Sequence, residues 1–98
     1  MPFPIDSPMR LAVFASGGGT NFQAIIDAVE NGRLPARLAL CLSNKPEAGA
    51  LDRARRYAIP TAVLDPNMFD DEAAYAQAML DTLAEHEVTF IALAGYMR

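Results

Sequence analysis

The sequence predicts an α/β fold: an open, all-parallel sheet of four strands in the order 3-2-1-4. Three observations carry this. Short apolar runs alternate with helical patterns from residue 11 to residue 94, the signature of a parallel sheet with crossover helices. The runs are apolar without alternation, so the strands are expected to be buried on both faces. Right-handed crossovers then allow the chain to step outward twice and return to pair the fourth strand beside the first.

The first strand covers residues 11–15 (LAVFA) and is stopped by Ser16 and three glycines. Phe22, Ile25, Ile26 and Val29 follow at helical spacing, with Gly32 as the C-terminal stop. Residues 38–42 (LALCL) form the second strand, broken by residues 43–46 (SNKP). A second helix over residues 47–58 puts Leu51, Ala54 and Ala58 on one stripe and ends before Pro60. Its Arg53, Arg55 and Arg56 read as a solvated face with Asp52 as a local partner. Residues 61–64 (TAVL) are a brief third strand, followed by the turn residues Asp65, Pro66 and Asn67. Asp70 is placed to cap a third helix running to His86, with Ala76, Met79, Leu80 and Leu83 as its apolar face. Residues 90–94 (FIALA) are the fourth strand, ended by Gly95.

Composition narrows the function classes. The chain has 98 residues, 52% hydrophobic and 20% charged, which suits one folded domain. Residues 1–8 hold three of the seven prolines without periodicity and read as a tail, leaving residues 9–98 as the domain and Met9 as a candidate start. A net charge of −4 gives no electrostatic footprint for a nucleic-acid backbone. No apolar run approaches the roughly 20 residues of a membrane span, and the tail lacks the character of a secretory signal. One cysteine, Cys41, supports neither an internal disulfide nor a multi-cysteine metal site, so a cytoplasmic protein without a metal is expected. In mid-strand Cys41 reads as a small core residue, and His86, near a helix end, as structural.

The predicted strand order puts a switch point between strands one and four, where ligands bind beyond the carboxyl ends. Residues 16–21 and 95–98 are expected to meet there. Gly17, Gly18 and Gly19 directly before a helix let backbone N–H groups approach an anion such as phosphate; the alternative is a tight turn only. The dinucleotide fingerprint fails, because Phe22 stands at its third glycine and strand two ends without an acid. A P-loop also fails, for lack of Lys followed by Ser or Thr. Thr20 and Asn21 can either cap the first helix or use their side chains on a sugar phosphate.

The ordered motifs SGGGTNFQAII at residues 16–26, LSNKPEAGALDRA at 42–54 and LAGYMR at 93–98 resemble the N-terminal half of the phosphoribosylglycinamide formyltransferases, from about Met9 to Arg98. The resemblance implies a Rossmann-like nucleotide-binding fold and formyl transfer from 10-formyltetrahydrofolate to the amine of phosphoribosylglycinamide, in de novo purine biosynthesis. It assigns the substrate's ribose phosphate to Gly19, Thr20 and Asn21, and contacts with the folate to Met97 and Arg98, with Gly95 permitting the turn. Glu72 departs from the pattern, since a basic residue associated with folate binding commonly stands there.

Members of that family run to about twice this length, and their catalytic Asn, His and Asp align beyond Arg98; His86 matches none of them. The resemblance therefore implies a chain that binds substrate phosphate without turnover, since the acid/base and polarising groups are not among its residues. Two other readings are the corresponding half of a formyltetrahydrofolate hydrolase or tRNA formyltransferase, which the Gly-Thr-Asn loop argues against, and a non-catalytic sugar-phosphate-binding module. Strand four is expected to expose an apolar edge, through which copies of the chain would self-associate.

Overall fold

A computed structural model describes residues 9–96. Its elements in chain order are β1 (Met9–Phe14), α1 (Thr20–Glu30), β2 (Ala36–Ser43), α2 (Gly49–Arg56), β3 (Thr61–Val63), a 3₁₀ turn (Pro66–Met68), α3 (Glu72–Glu85) and β4 (Phe90–Leu93). The strands form one parallel sheet in the order β3-β2-β1-β4. The expected fold class and strand order are both observed.

Two apolar layers hold the sheet. Leu11, Val13, Ala15 and Cys41 face α1 and α2, meeting Phe22, Ile26, Ala50, Leu51 and Ala54. Ala12, Phe14, Leu40 and Leu42 face the opposite way, against Met79, Leu83, Val88 and Tyr96. A bulge makes this division possible. Between Leu11 and Ala12 the partner on β2 jumps from Leu38 to Leu40, leaving Ala39 extra. A one-residue shift reverses side-chain parity, so Leu38 packs on the first layer and Leu40 on the second.

Three expectations about the helices are corrected. Asp71, not Asp70, caps α3, its carboxylate accepting from the Ala74 N–H at 2.8 Å. The inward stripe of α3 is Tyr75, Met79 and Leu83, at i, i+4 and i+8, while Ala76 is exposed and Leu80 is 60% exposed. Tyr75 is drawn in by polar and ring contacts that an apolar-stripe reading does not count: its hydroxyl is 2.9 Å from that of Tyr96, and its ring packs edge-on to Phe69. Ala58 lies outside α2, exposed and left-handed at φ 57°.

Both α2 and α3 end on the same motif. After α2, Ala58 N–H donates to Arg55 O and Ile59 N–H to Ala54 O; after α3, Glu87 N–H donates to Ala84 O and Val88 N–H to Leu83 O. This is the Schellman arrangement, whose left-handed residue is usually glycine. Here Ala58 and Glu87 occupy it, at φ 57° and 55°. The Arg10 guanidinium adds hydrogen bonds to the carbonyls of His86 and Glu87, and His86 Nδ1 lies 2.8 Å from Thr82 O. His86 therefore belongs to a helix end at the amino-terminal side of the sheet.

Among the described residues β4 pairs with β1 only, and Phe90, Ile91 and Leu93 are 40%, 48% and 71% exposed. The bare apolar edge expected of strand four is present.

A left-handed backbone costs a residue with a Cβ about 1–2 kcal/mol relative to glycine, partly offset by glycine's greater freedom when unfolded. Ala58→Gly and Glu87→Gly are each expected to stabilise the fold by about 0.5–1 kcal/mol, raising the denaturant midpoint at unchanged slope. An unchanged or lower midpoint would contradict this account of the helix ends.

Candidate functional site

The carboxyl ends of β1 and β4 meet as the topology requires. Ser16 N–H reaches Gly95 O at 3.3 Å, and Gly95 turns the chain at φ 77°. Ser16 is buried, and its hydroxyl donates to Asn44 Oδ1 at 2.7 Å, fastening the end of β1 to the end of β2. Between these anchors the chain runs through Gly17, Gly18 and Gly19 into α1.

The conformation of this loop is set from the α2 side. Gly17 O accepts from the Ala50 N–H at 3.1 Å, and Gly18 O accepts from Arg53 Nε at 2.8 Å. In a planar trans peptide the C=O and N–H point in opposite directions. The N–H groups of Gly18 and Gly19 therefore point away from α2. Gly19 O accepts the first helical bond, from Gln23 N–H at 2.7 Å, which directs the Thr20 N–H out of the helix start. Successive N–H groups of this kind, with a left-handed residue among them, form an anion-binding concavity, reinforced by the helix dipole.

Two glycines are required by close approach. Gly19 sits at φ 87°, and a Cβ there would lie 2.8 Å from Ala50 Cα and 3.0 Å from Arg53 Cδ. Gly49 opens α2, and a Cβ on it would stand 3.1 Å from both Cα and O of Gly18. The small residues at the head of α2 thus allow the loop to lie against it.

Gly19 is the N-cap of α1 and is buried, while Thr20 and Asn21 are exposed in the first turn. The capping alternative for Thr20 and Asn21 is not realised, because no side chain caps α1 among the described residues. Arg53 is also corrected. It is not simply part of a solvated face, since it holds the Gly18 carbonyl and Gln23 Oε1. Arg55 does pair with Asp52, at 3.1 Å. Met97 and Arg98 lie outside the described residues.

Three further positions bear on the site. A pocket of about 420 Å³ beside the loop, beyond β2 and β3, is lined by Asn44, Lys45, Asp65, Pro66 and Asn67. Cys41 is buried, and burial pushes its thiol up to about 11, so it is protonated and inert at neutral pH. Glu72 falls in the first turn of α3, where a carboxylate suits the helix dipole. Among the described residues, no group of three His, Cys, Asp or Glu side chains is arranged to hold a metal, and no helix is long and apolar enough to cross a membrane.

The sequence model of the formyl transferase family matches residues 9–98. The chain belongs to the formyl transferase family. It is 43% identical over 89 residues to phosphoribosylglycinamide formyltransferase of Bacillus subtilis, covering 91% of this chain and 46% of that protein. It is 36% identical over 90 residues to the Escherichia coli protein of the same name, covering 92% of this chain and 42% of that one. Among solved structures, glycinamide ribonucleotide transformylase 1 from Geobacillus kaustophilus superposes with a TM-score of 0.89 at 48% identity, over 94% of this chain and 49% of that one. The chain thus spans about half the length of the formyl transferases it matches.

The geometry at Gly19 makes it the least replaceable position of the loop. Gly19→Ala combines a left-handed backbone with a backbone clash and is expected to destabilise the protein by about 1–3 kcal/mol in urea unfolding. A fully stable variant would show that the loop has another conformation available at no cost.

Proposed function

We propose that this formyl transferase chain binds phosphoribosylglycinamide through the glycine loop and serves formyl transfer from 10-formyltetrahydrofolate to the glycinamide amine, a step of purine biosynthesis. The observation that carries the reading is the paired capture of the Gly17 and Gly18 carbonyls by α2, which turns the N–H groups of Gly18 and Gly19 outward at the start of α1. Gly19 lends its N–H to the phosphate, and the exposed side chains of Thr20 and Asn21 supply further donors to the ribose phosphate. The names of the relatives support this substrate over the acceptors of other formyl transferases.

The formyl donor enters the reading through the second loop. Ser16 N–H bonds Gly95 O, so the turn after β4 is held at the glycine loop, and the resemblance assigns the folate contacts to Met97 and Arg98 just beyond that turn in sequence. When bound, 10-formyltetrahydrofolate supplies the one-carbon group, and this chain orients the acceptor by its phosphate. The chain's one histidine is engaged at the opposite end of the sheet. The 98 residues alone are accordingly expected to bind substrate without turning it over.

Calorimetric titration with phosphoribosylglycinamide tests this reading. Asn21→Ala is expected to weaken binding by about 1–3 kcal/mol while leaving the melting temperature nearly unchanged, since among the described residues no side chain caps α1. Equal affinity of the variant and the parent chain would remove Asn21 from the site, and formyl transfer by the 98 residues at an ordinary enzymatic rate would refute the division of labour.

A further inference from the structure

Arg53 is set apart from the other arginines of α2 by where its donors go. Long basic side chains on a helix surface ordinarily keep their charged heads in water, and Arg55 and Arg56 are exposed. Arg53 instead donates from Nε to Gly18 O at 2.8 Å and from Nη1 to Gln23 Oε1 at 3.0 Å. The Gln23 amide in turn donates to Asp27 Oδ1 at 3.0 Å and to the Tyr57 hydroxyl at 3.2 Å. One guanidinium thus bridges the glycine loop to the first turn of α1, from a position on α2.

We infer that Arg53 is a positioning residue for the phosphate loop, fixing the peptide plane between Gly18 and Gly19, and so the direction of the Gly19 N–H, without touching the ligand. The inference rests on the phosphate reading of the loop proposed above. A Cβ at Gly17 or Gly18 would meet nothing within 4 Å, and the Gly18 backbone touches α2 only closely enough that a Cβ on Gly49 would stand 3.1 Å from its Cα and O, so packing limits how near the loop lies without itself choosing the tilt of the plane. Glycine carries no Cβ to restrict its φ and ψ, so the orientation of the plane depends chiefly on what the carbonyls bond. Ala50 N–H takes the Gly17 carbonyl, and Arg53 takes the Gly18 carbonyl. A planar fork can hold two acceptors in fixed geometry, which a lysine ammonium on a flexible stem does not reproduce. The guanidinium lies on the carbonyl side of the plane and the N–H faces the other way, so Arg53 acts mainly through the orientation of the N–H, with no direct contact with the anion.

Calorimetry with phosphoribosylglycinamide at low and at high salt, on the parent chain, Arg53→Met and Arg53→Lys, tests the inference. Arg53→Met is expected to bind about tenfold more weakly, by the same factor at both salt concentrations, and Arg53→Lys to recover part of the loss. In ligand-free Arg53→Met, the Gly18 and Gly19 amides should lose order while those of α3 do not. Should Arg53→Met fail to fold, Gln23→Met removes one end of the bridge with α2 intact, and a smaller loss of the same salt-independent kind is expected. Parent-level affinity in Arg53→Met overturns this inference alone, and in Gln23→Met it does the same. A loss that disappears at high salt, or that lysine restores fully, replaces positioning by charge attraction and overturns it too. Failure of the parent chain to bind overturns the phosphate reading of the loop, and this inference with it.

Discussion

Two hydrogen bonds to backbone carbonyls, Ala50 N–H to Gly17 O and Arg53 Nε to Gly18 O, are the contacts on which the site depends. Without them three consecutive glycines would sample many conformations, and an anion would have to order the loop at the cost of its own affinity. With them the loop conformation is set in the chain by itself. The requirement propagates outward. α2 must approach closely enough to bond the loop, so its head carries Gly49 and Ala50, and the loop in turn carries Gly19 where any Cβ would strike Ala50.

The sheet explains why α2 can do this. β1 is flanked by β2 on one side and β4 on the other, so both α1 and α2 are delivered to one face, against Val13, Ala15 and Cys41. α1 begins where β1 ends, and α2 begins a few residues after β2 ends, so both helix starts lie at the carboxyl edge. Ser16 closes the arrangement, bonding Asn44 after β2 through its side chain and Gly95 after β4 through its backbone. The candidate site is thus a property of strand order as much as of the glycine motif.

Much of this was legible in the residues because periodicity reports burial. Four apolar runs and three helical stripes were enough for the strand order, and Phe22 and Ile26 stood out as core by spacing alone. The β2 bulge was not legible, since LALCL is apolar at each position and offers no alternation whose parity could be seen to change. Asp70 and Asp71 are chemically identical neighbours, and only the backbone decides which one caps α3. Arg53 was hidden for a different reason: one partner is a main-chain carbonyl, which carries no residue identity, and the other, Gln23, lies 30 residues away on another helix. The available signal was the pair of small residues, Gly49 and Ala50, at the head of its helix. On α3, the inward place of Tyr75 depends on the hydroxyl of Tyr96, a contact across 21 residues that a local stripe does not contain.

The central claim is that the outward N–H groups of the glycine loop receive the phosphate. Titration of the ¹⁵N-labelled chain with phosphoribosylglycinamide, followed by amide chemical shifts, tests it most directly. The account predicts that the largest downfield changes fall on Gly18, Gly19 and Thr20, with Asn21 following. Changes centred instead on Asn44, Lys45 and Asn67, around the neighbouring pocket, with the glycine amides unmoved, would contradict it.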